Sequence, residues 1–169
     1  MNRIATTVVA LLASLVVPAG ALASHNEGGG QGSSRDFAVG TGQNEIGRVS
    51  FAAHGGPSPF EPVTGHFHAK GATPLGPFNI DGPVTCLTVF GREAGLFYPV
   101  RNPEPPAEPD GVFVFLRDNG NPANGDPADQ IGFVPIAGPI TEPPACPPVP
   151  PAEIFEIEHG NFTIHDAGF

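Results

Sequence analysis

Tryptophan is absent from this chain of 169 residues, and tyrosine occurs once, as Tyr98. Sugar-stacking platforms and interface hot spots lean on those two side chains, so both are poorly supplied. Positive charge is scarce as well. Seven Lys and Arg stand against 17 Asp and Glu, for a formal net charge of −10. Phosphate contacts need clustered cations, which argues against DNA, RNA and anionic lipid surfaces as partners. Divalent cations are the one partner class that the acidity leaves open. Cysteine is limited to Cys86 and Cys146. The longest apolar stretch, Ile4 to Val17, falls short of the roughly 20 residues of a helical membrane span, and no segment has both the period and the length of an amphipathic helix.

That apolar stretch has a different meaning. It follows a short basic start at Arg3 and ends in Ala21-Leu22-Ala23, the layout of a secretory signal peptide over residues 1–23, with cleavage expected before Ser24. The expectation is an exported protein, extracellular or associated with the cell envelope, without a membrane span. In such a compartment two cysteines with none left over most simply pair as one disulfide. A closed loop of about 60 residues then contributes roughly 4 kcal/mol in chain-entropy terms. The rival use, a thiolate metal site or nucleophile, suits a reducing cytosol better.

Glycine and proline are abundant, at 23 and 22 residues. They fall between apolar runs rich in Val, Ile and Phe, as turns between short strands do. Residues 24–36 form a polar, glycine-rich leader expected to be flexible. Strand signals follow at 46–53, 65–70, 82–90, 96–100, 112–117, 131–136, 154–158 and 160–166. Within the third, Val84, Cys86, Thr88 and Phe90 share one face and Thr85, Leu87 and Val89 the other, so it reads as a central strand covered on both sides. About eight short strands predict a single all-β domain over 37–169, an antiparallel β-sandwich or a small β-barrel.

Two sets of residues suggest metal chemistry. His66 and His68 point the same way on a strand, about 6.6 Å apart, and a hairpin would bring His54 alongside as a third imidazole for Zn²⁺. The plainer reading is a pair of solvent-facing histidines with Phe67 turned inward. Asp118, Asn121, Asp126 and Asp129 lie in a polar loop whose hard oxygen donors suit Ca²⁺. Its spacing is not that of an EF-hand, and its Asn-Gly, Asn-Pro and Asp-Pro steps are ordinary turn formers. No nucleophile elbow is present. His165 and Asp166 are strand neighbours facing opposite sides. Glu156 and Glu158 would share a face, where a solvated acidic edge accounts for them better than a glycosidase pair.

Taken in order, Thr64-Gly65-His66-Phe67-His68-Ala69-Lys70-Gly71, Gly82-Pro83-Val84-Thr85-Cys86-Leu87, Asp118-Asn119-Gly120 running to Asp129, Cys146, and Gly160-Asn161-Phe162-Thr163-Ile164-His165-Asp166 resemble small secreted proteins of actinobacteria and related soil bacteria. The resemblance spans roughly Arg48 to Ala167. It implies export, a β-rich fold and two cysteines that pair, and brings no assigned activity or functional residue. The expectation for function is a non-enzymatic extracellular or cell-envelope protein with a structural or binding role, taking an extracellular or cell-wall ligand and no cofactor. The alternative is a module that binds Ca²⁺ or Zn²⁺ and, behind it, a hydrolase.

Overall fold

Alternation writes the strands. In Gly47–His54 the buried residues are Val49, Phe51 and Ala53, and in Thr64–Thr73 they are Phe67 and Ala69. Each set is spaced by two and turns to one side of a pleated sheet. A computed structural model describes residues 35–55, 62–103, 108–142 and 144–168. The expected signal peptide and most of the expected leader lie outside the described residues.

The chain is all-β. Among the described residues ten strands run in sequence: β1 Phe37–Asn44, β2 Gly47–His54, β3 Thr64–Thr73, β4 Gly76–Pro83, β5 Cys86–Phe90, β6 Glu93–Pro99, β7 Gly111–Arg117, β8 Gln130–Ile136, β9 Ile154–Glu156 and β10 His159–His165. They form two antiparallel five-stranded sheets, ordered β10-β1-β2-β3-β4 and β5-β6-β7-β8-β9. Each strand pairs with its neighbours in sequence, except that the chain changes sheet after β4 and that β10 returns to pair with β1, Phe37 opposite His165. The two ladders do not join, so the architecture is sandwich-like rather than a closed barrel.

The core lies between the sheets. Phe51, Phe67 and Phe162 of the first meet Leu96, Tyr98, Val114 and Leu116 of the second, and the Phe67 and Tyr98 rings stack 4.6 Å apart across the gap. Three expectations are corrected. The strands number ten rather than about eight, because β1 and β4 join the set. The segment 82–90 is two pieces, the end of β4 and then β5. β5 is an edge strand, with Leu87 and Val89 against the core and Phe90 exposed, so it is not covered on both sides.

Cys86 and Cys146 are joined by a disulfide, their Cα atoms 6.1 Å apart. The bond holds a proline-rich strap, 144–151, against the outer face of the second sheet. There Phe97 is fully buried and packs on Phe113, ring centroids 4.9 Å apart. Glycine makes the approach possible: a Cβ at Gly95 would collide with the Cys146 and Pro147 carbonyls, and one at Gly132 with the Pro151 ring.

Candidate functional site

At one end of the sandwich the sheets part around a cavity of about 650 Å³, within the range of small-molecule sites. Its walls come from both sheets: Val49, Ala69, Phe78 and Ile80 on one side, Tyr98, Val112 and Phe133 on the other. The rim is made by the turns that end these strands, with Ile46 after β1, Pro74 and Leu75 after β3, Pro109 before β7 and Ala137 after β8. Leu75 stands 69% exposed there, an apolar side chain at the opening.

Among the residues around this cavity, Tyr98 and Asn44 each bury a polar atom without a hydrogen-bond partner among the described residues. Tyr98 is completely buried, and its hydroxyl has no hydrogen-bond partner among the described residues. Burial, reinforced by the nearby Asp81 charge, pushes the phenol far above its usual range, so the oxygen keeps its proton. Asn44 is 6% exposed. Its Oδ1 accepts from the Ile46 and Gly47 amides, both at 3.1 Å, and so fixes the β1–β2 turn. Its Nδ2 is left without a partner. An unmet buried polar group costs about 1–3 kcal/mol.

Sequence reasoning did not find this cavity, since its walls are drawn from positions far apart in the chain. One signal was present: a lone tyrosine inside the apolar run 96–100 needs a partner for its hydroxyl if it is buried.

The residues expected to ligate metal do other work. His54, His66 and His68 do share the outer face of the first sheet, with His54 opposite Thr64 and Ala52 opposite His66. His66 Nε2 lies 3.1 Å from Asp81 Oδ2, His68 Nε2 lies 3.0 Å from Asn79 Oδ1, and His54 packs near the Phe37 ring. In the polar loop, Asn121 Oδ1 accepts from Ala123 N and Asp126 Oδ2 from Asn121 N, which closes a 3₁₀ turn at Pro122–Asn124.

Asp118 and Asp129 reach further. Asp118 Oδ2 accepts from Ile164 N at 3.2 Å and Asp129 Oδ2 from Phe162 N at 2.6 Å. Both amides lie on the side of β10 turned away from β1, so two carboxylates stand in for a missing neighbouring strand. Asp129 Oδ1 also holds Asn119 N at 2.9 Å. Burial raises the Asp129 pKa, opposed by those two amides. Among the described residues no three His, Cys, Asp or Glu side chains converge as a metal would require.

His165 stacks on Phe37, and Asp166 accepts from the Gly91 and Gly168 amides, so the adjacent His-Asp pair serves the fold. No helix among the described residues is long and apolar enough to cross a membrane. No protein-family model, curated protein or solved structure matches the chain.

Proposed function

We propose that this protein is an exported, non-enzymatic β domain with a binding role, and that its site is the cavity between the sheets, which takes a small apolar molecule. The observation that carries this reading is the cavity of about 650 Å³ with predominantly aliphatic and aromatic walls. Open apolar space of that size sacrifices the dispersion contacts that a packed core provides. An opening retained at that cost is better explained by an occupant. The signal-like residues 1–23 and the disulfide fit a protein at work outside the cytoplasm.

The test is equilibrium binding of a neutral apolar fluorophore, N-phenyl-1-naphthylamine. Saturable binding of one molecule per chain is expected. It should be lost in Ala69→Phe, which places a ring in the cavity, and kept in Ser50→Ala, whose position faces outward. Absence of saturable binding, or binding untouched by Ala69→Phe in a chain that still melts cooperatively, overturns the proposal.

A further inference from the structure

The outer face of the first sheet carries a charge pattern in which the cavity has no part. Alternation along β2, β3 and β10 sends Phe51, Phe67 and Phe162 inward and the residues between them outward. All five histidines among the described residues fall in the outward set: His54 on β2, His66 and His68 on β3, His159 and His165 on β10. The register gathers them around the middle of the sheet. His54 and His165 both lie opposite Phe37, His159 lies opposite Gln43, and His66 and His68 lie opposite Ala52 and Ser50. Four of them are exposed and His68 is half-buried. Arg48 and Lys70, cross-strand neighbours, point the same way. Asp81 is the one carboxylate that these five strands turn outward, and it already faces two bases, His66 Nε2 at 3.1 Å and Arg101 Nη1 at 3.7 Å. In a chain of net charge −10, this face is the exception.

Imidazole is the side chain that changes charge between about pH 8 and 5. Mild acid therefore adds positive charge beside Arg48 and Lys70. Around the face stand Arg35, Asp36 and Asp166 near His54 and His165, Glu45 and Glu158 near His159 and Arg48, and Arg101 and Glu108 beside β4. Asp36, Asp166 and Glu108 accept from backbone amides. His68 Nε2 meets a neutral oxygen, Asn79 Oδ1, and His54 and His165 lie against the Phe37 ring, whose face tolerates a charged imidazole. We propose that this face is a pH-gated docking surface for a carboxylated polysaccharide, engaged in mild acid and released near neutrality. Charge sets the sign of the partner, and the remaining outward residues set its kind. Thr41, Ser50, Asn161 and Thr163 place hydroxyls and an amide between the imidazoles, suited to sugar hydroxyls. Phosphate recognition leans on arginine forks, and these strands offer Arg48, whose Nε donates to Gln43 Oε1. The apolar residues at the centre of the face, Val39 and Ala52, are too small to anchor in a membrane.

The test is calorimetric titration of the oxidised full chain with polygalacturonate, against neutral galactan as the comparator. Binding is expected at about pH 5.5, at least about tenfold weaker at about pH 7.5, diminished by added salt, and absent with galactan. His66→Gln combined with His68→Gln should weaken binding in acid and flatten the pH dependence. His54→Gln combined with His165→Gln should do the same from the other end of the face. Lys70→Gln should weaken binding alike at both pH values, and Arg92→Gln, on the turn between β5 and β6, should change neither. Cooperative melting of each variant checks the fold. Equal affinity at the two pH values, equal binding of galactan, or histidine variants that keep the wild-type pH profile would overturn the proposal. So would retention on phosphatidylglycerol vesicles in place of the polymer, or polymer-independent self-association in acid that the histidine variants abolish. Failure of any of these leaves the cavity untouched, since no outward residue named here lines it except Arg48.

Discussion

At the scale of single residues, polar side chains here satisfy backbone that the sheets leave open. Asp129 is the strongest case, 2% exposed and bonded through its two oxygens to Asn119 N and Phe162 N. Asp129→Ala leaves both amides unmet and should cost about 2–4 kcal/mol, read as a lower urea midpoint at unchanged slope. The pH dependence has a definite sign. Burial raises the folded pKa above 3.8, so the folded chain holds this proton more tightly than the unfolded chain. Asp129's contribution is therefore fully present below 3.8 and declines as pH rises through the folded value. The stability of wild type relative to Asp129→Asn should accordingly fall as pH is raised from about 3.8; a difference that grows with pH would show a depressed pKa instead. In the sequence this loop was legible as a turn former, but the reach of Asp129 and Asp118 to β10, 33 and 46 residues on, was not, because no local pattern encodes a bond across that separation.

Among elements, the exposed sheet edges are managed by loops. β10 is capped by the two aspartates. Along β4, Asn79 N donates to Glu108 Oε1 and Asp81 O accepts from Arg101 N, which occupies an edge that would otherwise invite strand addition. This placement also explains which strands the sequence hid. β4 contains Pro77 and Pro83, which cannot donate to a ladder but are tolerated on an edge. β1 contains Gly40 and Gly42, which dilute its alternation; side chains there would collide with Phe162 and Ile157. The demand for glycine is tertiary, and the local pattern loses its signal. On the other sheet the strap needs the absence of a side chain at residue 95. Gly95→Ala should displace it and cost about 1–3 kcal/mol, with faster amide exchange at Ala145, Cys146 and Val149; an unchanged melt would mean that the strap is not seated there.

For the molecule as a whole, the all-β class and the Cys86–Cys146 pairing were legible, since period-two runs and an even cysteine pair need no long-range knowledge. The division into two sheets was not, because neither the switch after β4 nor the return of β10 to β1 has a local mark. The disulfide spans 60 residues, and its removal by Cys86→Ala with Cys146→Ala should lower stability by about 2–5 kcal/mol. Equal urea midpoints for the oxidised chain and the double variant would refute that role.

The cavity is the claim on which the functional reading stands, and methyl NMR during titration with 2-undecanone tests it most directly. The account predicts saturable shift changes concentrated at the methyls of Val49, Ala69, Ile80 and Val112, with Val39 on the outer face and Val149 on the strap unmoved. Changes scattered over the surface, or confined to Val149 and the strap, would contradict it.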